Sequence, residues 1–246
     1  MKSTIALALL LFSAQLAPPN AAGVSAGHIH LYVSDVPTQQ KFWETLGGIP
    51  TANQRLQMIQ FPGVMILLRG GQTSGGSVGS IVNHLGLVWK DLPAAKAKWQ
   101  AAGYKIEEDT PTHGFINGPD GIRLEYAGDP SLTVPVKFDH IHLYPQDVPA
   151  MQAWYTKILG GVDIPGARLE MTKSNEKLLP TAGRSLDHIG FEVKDLPAFL
   201  QRMEAEGVTI TQGITASNFV TGMRVAFIAD PWGTKMEITE GLAPRP

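Results

Sequence analysis

The sequence predicts an α+β fold built from four copies of one small unit. One pattern (His, six further residues, Asp, then Val or Leu, then Pro) occurs four times in the 246 residues. A second pattern, Pro-x-Gly-x-x-x-Glu, occurs twice and ends at Glu125 and Glu237, which lie 112 residues apart. Such self-similarity indicates a repeat protein, here with two halves of two modules each. The four pattern histidines are His28, His84, His140 and His188.

Each module is expected to begin with a strand that leads into a helix. In the first copy, Ile29, Leu31 and Val33 point to one side of the strand. His28 and His30 point to the other side. The Asp of the pattern is a typical helix N-cap, and the Pro after it suits the first helical turn. A glycine then ends a helix of about ten residues, and about three short strands complete a βαβββ module.

The modules divide the chain into two expected domains. The first domain covers residues 27–130 and the second covers residues 137–243, with a linker at 131–136 after Pro130. Within each domain the two modules are expected to pair with each other. The modules are 27–80, 81–130, 137–185 and 186–243.

The N-terminal residues 1–26 are typical of an export signal. Lys2, an apolar run over 5–16 and small residues up to Ala26 match a secretory signal peptide, with an uncleaved anchor as the alternative. The run is shorter than the roughly 20 residues that a membrane-spanning helix needs. The sequence therefore predicts an exported protein, periplasmic or secreted, with no membrane contact after cleavage.

The composition narrows the chemistry that the chain can perform. Lys and Arg total 20 against 22 for Asp and Glu, and this balance argues against a nucleic-acid partner. The chain has no cysteine, which excludes disulfides, thiolate metal sites and cysteine nucleophiles. Any metal site must therefore use nitrogen and oxygen ligands, which gives weight to the 7 histidines.

The polar faces of the first and last strands of each module are expected to line a concave cavity. Leu124 and Tyr126 flank Glu125, so this glutamate points away from the helix-covered side, as the pattern histidines do. Each half then offers two histidines and one carboxylate, which suit a divalent ion and leave coordination positions open. The predicted metal ligands are His28, His84 and Glu125 in the first half and His140, His188 and Glu237 in the second.

Three histidines lie outside these two sets. His30 and His142 repeat with the halves, each two residues beyond a predicted ligand. They are candidates for catalysis by proton transfer, for substrate contact or for support of the ligands, and a plain polar strand face is the competing interpretation. His113 has no counterpart in the other half and is expected at the surface.

The βαβββ repeat, the strand-opening His and the Pro-x-Gly-x-x-x-Glu closing strand resemble the vicinal oxygen chelate (VOC) superfamily. That superfamily includes glyoxalase I, bleomycin resistance proteins and extradiol dioxygenases. The resemblance covers all four modules and implies glyoxalase-like domains, each with a cavity around a divalent ion that holds two vicinal oxygens of a substrate. The residues that match the extradiol-type ligand set are His140, His188 and Glu237 and, equally well, His28, His84 and Glu125.

Two departures from the family pattern bear on the reaction. Glyoxalase I adds a carboxylate from the closing strand of the first module of a pair, whereas residues 64–68 contain none. Glu170 is expected on an earlier strand of the third module. Extradiol enzymes place a His before the second ligand His and a Tyr before the Glu. This chain has no His between His142 and His188, and it has Phe227 rather than Tyr in the run before Glu237.

The leading functional hypothesis is an exported metal-dependent enzyme that acts on a small oxygenated substrate by dioxygenase-like or lyase/isomerase chemistry. The alternative is a non-catalytic small-molecule binding or resistance-type protein of the same fold. The ligands suit Fe, Mn, Zn or Ni equally. One chain holds two pairs of modules, so a monomer and a homodimer are both compatible with the sequence.

Overall fold

The computed structural model describes residues 16–242. Residues 1–15, which hold much of the expected export signal, and residues 243–246 lie outside this range. No helix within the described range is long and apolar enough to cross a membrane. The α+β class that the repeat predicts is confirmed, and three of the four modules have the expected βαβββ order.

The first two modules have the complete βαβββ order. Module 1 consists of β1 (Val24–Val33), α1 (Val36–Thr45), β2 (Ile49–Asn53), β3 (Leu56–Phe61) and β4 (Val64–Gly70). Module 2 consists of β5 (Val82–Trp89), α2 (Leu92–Ala101), β6 (Ile106–Glu107), β7 (His113–Asn117) and β8 (Arg123–Gly128). A short 3-10 turn at Pro119–Gly121 precedes β8.

The third module is one strand short, and the fourth is complete. Module 3 consists of β9 (Val136–Leu143), α3 (Val148–Leu159), β10 (Asp163–Ile164) and β11 (Ala167–Met171). Module 4 consists of β12 (Leu186–Val193), α4 (Leu196–Ala205), β13 (Thr209–Ala216), β14 (Arg224–Ala229) and β15 (Lys235–Glu240). In module 3, β11 pairs in parallel with β9, just as the last strand of every other module pairs with its first strand.

Strand β1 begins three residues before the expected domain start at residue 27. Val24, Ser25 and Ala26 are buried and lie opposite residues of β12. The fold therefore uses as strand three residues that the sequence pattern assigned to the export signal.

Of the four α-helices among residues 16–242, three have the N-cap that the sequence predicts. The carboxylates of Asp91, Asp147 and Asp195 each accept a hydrogen bond from the backbone N–H three residues later. At the fourth helix, the carboxylate of Asp35 accepts a hydrogen bond from the hydroxyl of Thr38 and caps no backbone N–H.

Because of this difference, replacing the Asp by Ala is expected to lower the free energy of unfolding by different amounts at α4 and at α1. Asp195→Ala is expected to lower the free energy of unfolding by about 1 kcal/mol, because a backbone N–H at the start of α4 loses its acceptor. Asp35→Ala is expected to lower the free energy of unfolding by clearly less, because Asp35 caps no backbone N–H. Urea unfolding of the two variants beside the unmodified chain makes the comparison, and equal losses would contradict it.

The two sheets join modules from different halves of the chain. Sheet 1 has the strand order β13-β14-β15-β12-β1-β4-β3-β2, and sheet 2 has the order β10-β11-β9-β5-β8-β7-β6. Module 1 therefore pairs with module 4 through β1 and β12, and module 2 pairs with module 3 through β5 and β9. The expectation that modules pair within each half is wrong.

The lengths of the connections account for this pairing. Modules 2 and 3 are joined by residues 129–135, and so short a segment keeps consecutive elements in the same sheet. The longer segments 71–81 and 172–185 carry the chain from one sheet to the other. Helix α1 packs on β2–β4 and helix α4 on β13–β15, so the polar faces of the first strands remain free of helices.

Candidate metal centres

Site 1 lies on sheet 1 where β1 meets β12. The strand register places His30 opposite His188 and His28 opposite Gly190, and the parallel strand β15 brings Glu237 beside Gly190. The Nε2 atoms of His28 and His188 lie 3.1 and 2.8 Å from the same Oε2 of Glu237. The candidate ligand atoms of the three histidines and the glutamate all lie within 4.8 Å of one another.

Site 2 is the equivalent group on sheet 2, where β5 meets β9. His84 lies opposite His142, His140 lies opposite Gly86, and the parallel strand β8 brings Glu125 beside Gly86. Nε2 of His84 lies 2.9 Å and Nε2 of His140 lies 3.5 Å from Oε2 of Glu125. His142 completes the group, with Nδ1 3.0 Å from Nε2 of His84.

The structure regroups the predicted ligands. All six reach a candidate metal site, but each site takes ligands from both halves of the chain. The regrouped sets are His28, His188 and Glu237 in site 1 and His84, Glu125 and His140 in site 2. The predicted grouping by halves is wrong because the sheets join modules across the halves.

Acidic side chains orient the ligand histidines from behind. Nδ1 of His188 lies 2.5 Å from Oδ1 of Asp187, which also accepts a hydrogen bond from Nζ of Lys235 at 2.7 Å. Nδ1 of His140 lies 2.9 Å from Oδ2 of Asp139. A histidine that donates its Nδ1–H to a carboxylate keeps the Nε2 lone pair free for a metal ion.

The glutamates of both sites are held in their ionised form. Burial alone would raise the pKa of Glu237, but the charge and hydrogen bonds of His28 and His188 outweigh it and hold that pKa well below its usual range. The histidines of site 2 lower the pKa of Glu125 in the same way. An ionised carboxylate is the form that binds a divalent cation.

His30 and His142 are neutral. Burial, reinforced by the neighbouring imidazoles, lowers the pKa of His30 to about 2 and that of His142 to about 3. A group with so low a pKa is a poor proton acceptor near neutral pH. This does not support their predicted role in acid–base catalysis. A neutral imidazole is suited instead to metal coordination or hydrogen bonding, and Nε2 of His142 already lies 2.9 Å from Oγ1 of Thr172.

The donor groups fit a divalent metal ion. Nδ1 of His30 is buried without a hydrogen-bond partner among the described residues, which is costly unless another group satisfies it. Burial would lower the pKa of His140, but hydrogen bonds to Asp139 and Glu125 raise it to about 9, so metal binding there would release a proton.

The closing strand of module 3 carries a further carboxylate. Glu170 lies on β11 beside His142, the same register position that Glu125 and Glu237 hold on β8 and β15. The expectation that Glu170 lies on an earlier strand is wrong, because module 3 lacks one strand and β11 closes it. Oε2 of Glu170 lies 3.4 Å from Nδ1 of His140, at the edge of site 2.

Site 1 has no carboxylate at this register position. Leu67 on β4 lies beside His30, where Glu170 lies beside His142 in site 2. Each site therefore has three histidines and one glutamate, and the sites differ in the residue on the remaining closing strand, which is Leu67 on β4 in site 1 and Glu170 on β11 in site 2. An ion in site 1 would have more coordination positions left for a substrate.

A cavity of about 680 Å³ opens onto site 1. His30, His188 and Glu237 line it, and the ring of Phe227 stands edge-on to His188 with the ring centres 5.3 Å apart.

His113, expected at the surface, is partly exposed at the rim of site 2, with Nε2 3.6 Å from Oε1 of Glu125.

Sequence reasoning missed several residues that line this cavity. Tyr32 lies two residues beyond His30 on the same strand face, and Tyr144 repeats it in the other half, which was an available signal. Arg55 and Arg69 also line the cavity. Arg55 recurs as Arg168 in the similar runs at 55–58 and 168–171, but that repeat does not indicate a cavity, and only the folded arrangement places Arg55 and Arg69 together.

Comparisons with known proteins agree with this architecture. Residues 137–238 match the sequence model of the Glyoxalase/Bleomycin resistance protein/Dioxygenase superfamily. A search of curated protein sequences finds no significant match. The structure of glyoxalase I from Zea mays is similar, with a TM-score of 0.68 at 14% identity over 91% of this chain and 97% of that chain.

A second solved structure extends the likeness. A Bacillus subtilis protein described as a dioxygenase has a TM-score of 0.63 at 15% identity, over 94% of this chain and 87% of that chain. At these identities the likeness establishes the fold alone. It covers both halves, and together with the superfamily match it confirms the resemblance that the repeat indicated.

Proposed function

We propose that the chain is a metal-dependent enzyme of the Glyoxalase/Bleomycin resistance protein/Dioxygenase superfamily, whose sequence model matches residues 137–238, with its active centre at site 1. The observation that carries the proposal is the cavity that opens directly onto the side chains of His188 and Glu237. Its volume, about 680 Å³, suits a small molecule.

The residues of site 1 have separable roles in this proposal. His28, His188 and Glu237 would hold a divalent ion, which when bound supplies Lewis acidity toward two substrate oxygens. Asp187 keeps the ring of His188 oriented with Nε2 toward the ion site. Leu67 contributes no ligand, so the positions that face the cavity remain open to substrate.

The same groups favour dioxygenase-like chemistry over lyase/isomerase chemistry. His28, His188 and Glu237 would form the two-histidine, one-carboxylate set that is typical of non-haem Fe(II) oxygenases, with the neutral imidazole of His30 beside it at the cavity. Proton abstraction from carbon would instead need a base with a pKa near the working pH, and His30, with a pKa of about 2, is not such a base.

The proposal is tested on the full chain, purified anaerobically and loaded with Fe, Mn, Zn or Ni in turn. A screen of catechols and α-ketoaldehydes is expected to find turnover. Glu237→Gln is expected to lower kcat/KM at least about 100-fold, because it removes the charge of a direct metal ligand, and loss of a residue that only supports a ligand already costs about 10- to 100-fold. Glu204→Gln, on the exposed side of α4, is the matched control and should retain full activity.

Two outcomes would count against an enzyme at site 1. Undiminished turnover by Glu237→Gln would contradict the site. Tight binding of the screened compounds without turnover by any metal-loaded form would favour the alternative, a non-catalytic small-molecule binding protein.

Export to the periplasm or the medium stays a prediction from residues 1–26, and we propose it alongside the enzymatic function. A single chain supplies every side chain of both sites. We therefore propose that a monomer is competent, and that a homodimer would add no ligand to either centre.

A further inference from the structure

The cavity over site 1 carries an excess of positive charge. Arg55, Arg69 and Lys235 line it, and the one acidic side chain among its described lining residues is Glu237. Glu237 points to His28 and His188, so its charge is committed to the candidate metal site.

The two arginines have no carboxylate partner among the described residues. The guanidinium of Arg69 lies 5.3 Å from the centre of the Tyr32 ring. Arg55 donates a hydrogen bond to the backbone carbonyl of Asn218. Lys235 differs from them, because its ammonium group pairs with Asp187 at 2.7 Å. Two guanidinium charges therefore remain uncompensated at the cavity wall.

Arg69 lies on β4 just beyond Leu67, the residue beside His30 of site 1. It follows Leu67 on β4 by two residues, so the two side chains share one strand face and are separated along the strand by about 6.6 Å. This spacing is close to the width of a substituted six-membered ring. The apolar side chains between and around them are Leu56, Leu67, Leu68, Met223, Val225 and Phe227.

We propose that this cavity takes a small oxyanionic compound with an apolar body, whose vicinal oxygens face site 1 and whose carboxylate or phosphate group meets Arg69 and Arg55. The inference rests on the proposed function and names its substrate class. Guanidinium groups bind carboxylates and phosphates through paired hydrogen bonds, and the apolar walls exclude water from the body of the ligand.

Calorimetric titration of the full, metal-loaded chain with four probes tests this proposal. Catechol and 3,4-dihydroxybenzoate share the vicinal oxygens and differ in the carboxylate, and the acid is expected to bind at least about tenfold more tightly. In Arg69→Gln and Arg55→Gln this ratio is expected to fall to about threefold or less, while the Kd of catechol stays the same. Lys41→Gln, on the exposed face of α1, removes a charge outside the cavity and should keep the ratio.

Benzoate and phenyl phosphate report on the arginine end alone, since neither carries vicinal oxygens. Whichever binds more tightly identifies the oxyanion, and both are expected to lose affinity in the arginine variants. The proposal is overturned if the unmodified chain binds catechol as tightly as the acid, or if the arginine variants keep the full ratio. A chain that binds no metal at site 1 would contradict the proposed function instead, and benzoate binding would still measure the arginines.

Discussion

A variant that combines His28→Ala with His188→Ala is expected to lose one bound metal ion per chain and keep the other. The two histidines come from opposite halves of the sequence, but β1 and β12 bring both to Glu237 in site 1. A variant that combines His28→Ala with His84→Ala is expected to lose both ions, because each site is left without one of its ligands. Elemental analysis of the purified full chain counts the ions.

The two double variants control for each other, since both remove two buried histidines. If each half held a site of its own, the results would be exchanged: the variant that combines His28→Ala with His84→Ala would keep one ion, and the variant that combines His28→Ala with His188→Ala would keep none. That exchange would contradict the pairing of modules 1 and 4. Retention of one ion by the variant that combines His28→Ala with His188→Ala also tests whether the two sites bind metal independently.

Gly190→Ala is expected to weaken metal binding at site 1 at least about tenfold and to lower the free energy of unfolding by about 1–3 kcal/mol. A Cβ atom at Gly190 would lie 2.2 Å from the ring of His28, which no real pair of atoms tolerates. The ring must move, and its Nε2 then leaves the position 3.1 Å from Glu237.

Competition against a chromogenic chelator measures the metal affinity of this variant, and urea unfolding measures its stability. Gly213→Ala is the matched control, because Gly213 lies in a strand with no atom within 4 Å of an added Cβ. In site 2, a Cβ at Gly86 would come within 2.1 Å of the His140 ring, so Gly86→Ala should act on the other ion. Normal metal affinity in Gly190→Ala would contradict the ring contact.

The candidate ligands could be predicted because strand alternation determines the face on which a side chain lies. Leu124 and Tyr126 are buried against the helices, and Glu125 between them is turned to the metal site, as the pattern requires. Such a local rule applies to each module by itself. It needs no knowledge of which module lies beside it.

The pairing of modules could not be predicted in the same way. The first strand of a module carries either His-x-His or His-x-Gly, and the glycine makes room for a histidine of the partner module. Pairing within halves and pairing across halves both join one strand of each kind, so the pattern does not distinguish them. The strands concerned contain His28 and His30, His84 and Gly86, His140 and His142, and His188 and Gly190.

The roles of Glu170 and of the arginines of the cavity could not be predicted from the sequence, for different reasons. The loss of one strand from module 3 turned β11 into its closing strand, and the repeat alone does not show which strand was lost. Arg55 reaches the cavity from a turn and Arg69 from the end of β4. The second copy of Arg55, Arg168, pairs with Asp139 and Glu170, so the repeat does not mark Arg55 as a residue that binds a ligand.

The order of strands in the sheets also decides which sheet can be completed first as the chain is synthesised from its N-terminus. Sheet 2 uses only residues from Val82 to Met171, so all its strands are synthesised before module 4 exists. Strand β1 must wait much longer, since Val24 pairs with Val193. Such distant pairing is slow and leaves an apolar strand exposed in the meantime. Site 1 therefore cannot form before module 4 has been synthesised, because His188 and Glu237 belong to that module.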